Sequence, residues 1–211
     1  MQTTLEVRWF QKGTPPAIVQ HWFHSECPGK LLTPEAETRE DLYAYGNLER
    51  YLDQFAKFIP NLANYEEINL KLRENNLELK LRQQQLGIQT FTHQSDRAFW
   101  SGSVEQWCKF DRQQLQDAAL DLDLAETDWI SVNKKRWQKS DRGVESELTQ
   151  LETKDSAWWS IAFEMKADDI RAESRFTEAV KRAARTYCGP KLLADDSYSY
   201  VDWLDKLVNT L

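Results

Sequence analysis

Cysteine and histidine are scarce in this chain, three of each in 211 residues. Cys27, Cys108 and Cys188 lie far apart with no CxxC or CxxH spacing. That pattern speaks against a disulfide framework or a zinc site and fits free thiols in a reducing compartment. His21 and His24 form the one close histidine pair, and at i, i+3 they read as helix-surface residues rather than metal ligands. No apolar run approaches the ~20 residues of a membrane-spanning helix, and the first residues lack the basic-then-apolar order of a signal peptide. Internal repeats, low-complexity tracts and flexible linkers are also missing. Positive charge is in deficit: 27 Lys and Arg against 34 Asp and Glu give a net charge of −7. Such a balance argues against a general nucleic-acid binder. Together these absences predict a soluble cytoplasmic protein with neither membrane nor nucleic acid as partner.

What is present is a core. Hydrophobic residues make up 41%, with nine Trp, nine Phe and seven Tyr, too many for a disordered chain. The length suits one domain spanning 1–211.

The most informative stretch runs from Asn69 to Arg82. Leu70, Leu72, Leu77, Leu79 and Leu81 alternate with Lys71, Arg73, Glu78, Lys80 and Arg82. Period-two alternation is the pattern of a strand with one face in a core, and Asn75-Asn76 at the centre suits the tip of a hairpin. Long cations dominate the polar face, where a solvated face would mix uncharged polar residues with both charges. An anion, most simply phosphate, would account for them.

Similar alternation recurs along the chain. Met1–Phe10 places Leu5, Val7 and Trp9 opposite Thr4, Glu6 and Arg8. Further strands are predicted at 41–47 (weakly), within 87–99, and at 104–110, 129–138, 144–151 and 158–166. Residues 17–25 have helical character, 48–58 fit strand or helix equally, and 113–128 reads as an acidic linker or short helix. Asp168 to Tyr187 predicts an amphipathic helix with Ile170, Phe176, Val180 and Ala184 on one face, begun by Asp168 and Asp169 and stopped by Gly189-Pro190. A last helix would cover 200–211. The expected fold is α+β: about eight antiparallel strands closing, or nearly closing, into a tunnel-like barrel, with peripheral helices and C-terminal helices from about residue 168. Closure removes exposed edges and leaves the polar face lining a lumen.

On that inner face the candidate phosphate ligands are Arg8, Lys71, Arg73, Lys80, Arg82, Lys134 and Arg136. Cations from several strands must surround a polyphosphate to offset its desolvation. A smaller set of carboxylates, Glu6, Glu147 and Glu164, is the candidate set for Mg²⁺ or Mn²⁺, which would polarise a phosphoryl oxygen or position water. The competing account is an ordinary wet face, stabilised by cross-strand Lys–Glu pairs, on a barrel serving as a binding or protein-interaction module. The Arg-rich helix 172–185 and the tryptophans 100, 107, 158 and 159 are read as solvated face and core.

In their order these motifs resemble the CYTH domain of the triphosphate tunnel metalloenzymes. Thr4-Leu5-Glu6-Val7-Arg8 stands where that family has ExExK. Leu70-Lys71-Leu72-Arg73 with Leu77-Glu78-Leu79-Lys80 resembles its cationic hairpin, Val132-Asn133-Lys134-Lys135-Arg136 its basic strand, and Phe163-Glu164-Met165-Lys166, after Glu145 and Glu147, its acidic end. The resemblance implies a tunnel that binds triphosphate or another polyanion and, where active, a divalent-metal-dependent triphosphatase-type phosphohydrolase. Thr4 replaces the first glutamate of the opening motif, Arg8 replaces its lysine, and Lys166 replaces a closing glutamate. The first and last of these remove metal ligands, so the resemblance implies anion binding more firmly than hydrolysis.

Overall fold

A computed structural model describes residues 1–46, 48–57, 59, 61–74, 76–92, 99–110, 115 and 127–209. The period-two segments form nine strands: β1 (Gln2–Lys12), β2 (Lys30–Leu31), β3 (Glu37–Tyr45), β4 (Glu67–Arg73), β5 (Asn76–Thr90), β6 (Ser101–Lys109), β7 (Asp128–Asp141), β8 (Val144–Glu152) and β9 (Ala157–Lys166). Every pairing is antiparallel. The strands run β7-β3-β4-β5-β6-β1-β9-β8, and β8 pairs back onto β7 to close an eight-stranded barrel, with β2 as an extra partner of β7.

Among the described residues four α-helices accompany the barrel: α1 (Ala17–His21), continued by a π-helical turn through Glu26, α2 (Leu52–Ala56), α3 (Ala172–Thr186) and α4 (Tyr200–Asn209). None is long and apolar enough to cross a membrane among the described residues. The apolar positions of the strands face outward beneath them. Leu5, Val7, Trp9, Leu148, Ile161 and Phe163 pack with Trp22 and Phe23 beyond α1 and with Phe176, Val180 and Ala184 of α3. Leu70, Leu77, Leu79 and Leu81 pack with Tyr51, Phe55 and Ile59 around α2. Burying such leucines and aromatics stabilises by about 1.5–3 kcal/mol each, so the apolar faces are drawn under the helices and the charged faces turn inward.

Local chemistry shapes the closure. Arg142 and Gly143 both take positive φ, 53° and 83°, between the paired Asp141 and Val144. This two-residue turn matches the strand twist. In β5 the register slips between Arg82 and Gln84 and again between Gln85 and Gly87, and such bulges bend a strand round a barrel.

Several expectations need correction. Asn76 already belongs to β5, where it pairs with Arg73, and Glu74 takes the left-handed backbone (φ 47°); residue 75 lies outside the described residues. No separate strand begins at Gly87; β5 runs through to Thr90, and residues 93–98 of that expectation lie outside the described residues. The reading at 113–128 lies outside them too, apart from Leu115 and 127–128. Residues 48–56 are helical, a 3₁₀ turn followed by α2. The helix expected from Asp168 starts at Ala172, after a turn in which the Asp169 carboxylate accepts the Arg171 N–H at 2.7 Å. Ile170 is therefore fully exposed and belongs to no buried face.

Candidate anion-binding site

The inward-facing residues converge on a cavity of about 110 Å³. Eight cations line it: Arg8 from β1, Arg39 from β3, Lys71 and Arg73 from β4, Lys80 from β5, Lys109 from β6, and Lys134 and Arg136 from β7. Five glutamates join them, Glu6, Glu78, Glu105, Glu147 and Glu164. Six of the seven cations expected from the sequence are thus brought together. Arg82 is not among the lining residues; its guanidinium reaches Glu66, Glu67 and Glu105 within 3.3 Å and Asp202 of α4 at 3.4 Å.

Three clusters organise the wall. In the first, Asp41 is wholly buried. Its carboxylate lies 2.9 Å from Lys134, 3.1 Å from Arg73, 3.2 Å from Arg39 and 3.9 Å from Lys71. Burial alone would raise its pKa, yet Lys134, Lys71 and Arg39 hold it well below the usual carboxylate range. The crowding acts oppositely on the lysines. Burial pushes Lys71 and Lys134 down to about 7, with Lys134 and Arg39 respectively as the leading cationic neighbours.

In the second cluster Glu147 accepts Arg8 at 2.9 Å, Arg136 at 3.1 Å and the Thr149 hydroxyl at 2.8 Å. Against its burial, Arg8 and Arg136 keep it ionised, well below the usual range. Arg136 also donates to Glu37. In the third, the Lys80 ammonium donates to Glu6 at 2.6 Å and Glu164 at 3.4 Å.

The cavity floor is aromatic. Tyr200, at the start of α4, stacks on Tyr43 (5.2 Å, 13°). The Lys134 ammonium lies 4.0 Å from its ring centroid and the Arg8 guanidinium 4.7 Å, so the ring face meets two cations at once. Lys134 also donates to the Tyr43 hydroxyl at 2.5 Å.

The three glutamates expected to hold a metal all line this cavity, but they do not converge. Glu6 and Glu164 share Lys80 while Glu147 belongs to the two arginines. Among the described residues no three His, Cys, Asp or Glu side chains group closely enough to hold a metal ion. The histidine pair lies outside the barrel, where His24 packs edge-on to Trp137 at 5.6 Å. The arginines of α3 are also outside: Arg182 pairs with Asp141, and Arg175 with Asp168 and Asp169.

Sequence reasoning passed over Arg39, Asp41, Tyr43 and Tyr200 as site residues. β3 reads Thr38-Arg39-Glu40-Asp41-Leu42-Tyr43, polar on both faces at its start, so its period is faint. The signal available was the Arg39–Asp41–Tyr43 alternation itself.

No protein-family model matches the sequence, and no curated protein does either. Among solved structures the chain is similar to the PH1012 protein from Pyrococcus horikoshii OT3, at 15% identity and a TM-score of 0.48, over 94% of this chain and 98% of that one. The PH1819 protein from the same organism gives 15% and 0.45, over 97% and 99%. The S. pombe RNA triphosphatase Pct1 gives 10% and 0.42, over 88% and 82%. The closed antiparallel barrel rests on this chain's own strand order and pairings.

Proposed function

We propose that the lumen binds a small polyphosphate of the triphosphate type, or another compact polyanion. The observation that carries this reading is the convergence of eight Lys and Arg from six strands on one enclosed cavity. Four are arginines, whose planar forks match pairs of phosphate oxygens, and four are lysines acting as point charges. A merely wet face is a poor account of side chains this enclosed: Lys134 is 3% exposed and Asp41 not exposed at all. Burying cations is costly unless they are paired, and the eight lining cations outnumber the five lining glutamates and the buried Asp41. A polyanion would answer the rest. Cation clamping is what the geometry supports most directly. The hydrolysis that the resemblance implies would also need a group that activates water.

The test is thermal shift with tripolyphosphate against sulfate at equal concentration. Tripolyphosphate should raise Tm by several degrees and sulfate far less, since only the longer anion spans several cations. Replacing Arg73 and Arg136 together by Ala should remove most of that shift while the protein stays folded. An unchanged Tm of the wild-type chain with tripolyphosphate would sink the reading.

A further inference from the structure

We propose that Lys80 is the resident cation of the lumen's carboxylate pair, so that the polyanion is held without a divalent metal. This deepens the polyanion reading and rests on it.

The strand register creates the need for a cation. Glu105 of β6 stands opposite Glu6 of β1, Glu6 opposite Glu164 of β9, and Glu164 opposite Glu145 of β8. Four carboxylates therefore lie in a row across four adjacent strands, and like charges directly opposite one another destabilise a sheet. The end members are relieved separately. Glu105 accepts Arg82 at 3.0 Å and the Trp107 indole at 2.9 Å, and Glu145 is exposed. The central pair, Glu6 and Glu164, lines the lumen with side chains 17% and 37% exposed and shares the Lys80 ammonium. Lys80 comes from β5, separated from β1 by β6, so its stem reaches over the lumen to the acids. Glu6 has a further donor in the Thr4 hydroxyl at 2.8 Å. Glu164 feels the Glu6 charge first and burial second, and its pKa is raised, as befits two acids served by one monovalent cation.

Chemistry makes the ammonium a working substitute for a metal. It has three N–H donors. Two are taken by Glu6 and Glu164, which leaves the third for a phosphoryl oxygen in the cavity that Lys80 lines. A divalent ion would need oxygen ligands now held by Lys80. Glu147, the third carboxylate expected to hold a metal, is committed to Arg8 and Arg136. Lys80 therefore performs both tasks a metal would perform here, neutralising the acids and facing the anion.

The experiment is calorimetric titration of the full chain with tripolyphosphate, in EDTA and in Mg²⁺, with free tripolyphosphate held equal in both arms. The expected affinities agree within about threefold, roughly 0.7 kcal/mol. Binding that needs Mg²⁺ would overturn the inference and leave the polyanion reading standing; no binding in either arm would overturn the polyanion reading itself. A second arm uses Mn²⁺ alone as probe. Lys80→Met keeps much of the stem and deletes the charge, so Mn²⁺ should bind this variant about tenfold or more tighter than wild type, through the freed carboxylates. Adding Glu164→Gln should abolish that gain. Equal Mn²⁺ affinity in wild type and a folded Lys80→Met would count against Lys80 as the resident cation, and if that variant does not fold the EDTA and Mg²⁺ arms still decide.

Discussion

The same strands build two unlike interiors. Toward one end of the barrel their inward positions are Glu6 and Arg8 of β1, Arg39 and Asp41 of β3, and Lys134 and Arg136 of β7. Toward the other, the inward positions are Phe10 of β1, Tyr43 of β3, Val132 of β7, Leu151 of β8 and Trp158 of β9, closed by Trp203 and Leu204 of α4. There Phe10 is sandwiched between Trp203 (5.0 Å, 8°) and Tyr198 (5.3 Å, 5°). Tyr200 is the boundary, touching Lys134 and Arg8 on one side and Phe10 and Trp203 edge-on at 5.3 and 5.8 Å on the other. The difference teaches that parity assigns a residue to the lumen, whereas position along the strand assigns its task. The aromatic end supplies burial that stabilises the barrel. The charged end concentrates repulsion that paired acids, a ligand or loss of a lysine proton relieves.

The largest break in this comparison is Trp203→Ala. Removing a fully buried indole from the plug should cost about 3–5 kcal/mol, seen as a Tm drop of about 10 °C in a chain this long. Tripolyphosphate should add only its ordinary shift, because no anion can refill an apolar cavity. Asp41→Asn comes next, with a loss of about 3 kcal/mol from removing the buried acid that four cations share, while Glu78 still pairs with Lys71 and Arg73 and Glu37 with Arg39. Lys71 and Lys134 limit the damage, since either can shed its proton. Here tripolyphosphate should restore most of the lost Tm, because the ligand supplies the missing negative charge. Rescue of Trp203→Ala, or no rescue of Asp41→Asn, in paired melting curves would show that the two ends are not divided in this way.

Much of the barrel was legible in the sequence because β1, β4 and β5 each carry a regular apolar face. The alternation of Leu70 to Arg82 and of Thr4 to Trp9 pointed to both strand and face, and with them to Arg8, Lys71, Arg73 and Lys80; Lys134 and Arg136 came from the segment 129–138. Arg82 was misleading for a tertiary reason: its parity is lumenal, but Glu66, Glu67, Glu105 and Asp202 hold it away from the cavity lining. Asp41 was hidden because its neighbours Glu40 and Arg39 are charged on both faces of β3, and a lone acid gives no hint that four cations from three strands will meet around it. The plug was hidden for another reason. Val201, Leu204 and Leu207 give α4 an apolar side, but nothing local says that Trp203 will enter a barrel rather than lie on its surface. Glu6, Glu147 and Glu164 share a face as expected, and only the arrangement of Lys80, Arg8 and Arg136 decides how they are divided.

The smallest effect, and the one that reads the charged end alone, is pH. Lys71 and Lys134 have pKa values near 7 in the folded chain, against 10.5 as the ordinary lysine value. Between pH 7 and 9 the unfolded state therefore holds more protons than the folded one, and stability should rise with pH over that window. Anion binding should move the other way. A polyanion favours the charged ammonium, so binding takes up protons, and the affinity for tripolyphosphate should fall roughly tenfold or more from pH 7 to 9. The acids nearby, Asp41 and Glu147, are held ionised well below this range and stay constant through it. Replacing Lys134 by Arg, which keeps its charge throughout, should flatten part of both slopes. Calorimetry in two buffers of different ionisation enthalpy reads the proton uptake directly. If the ligand-free Tm and the ligand-induced shift rise or fall together between pH 7 and 9, the two lysines are not the titrating groups. The crowding around Asp41 would then have to be relieved by movement of the side chains instead of loss of protons.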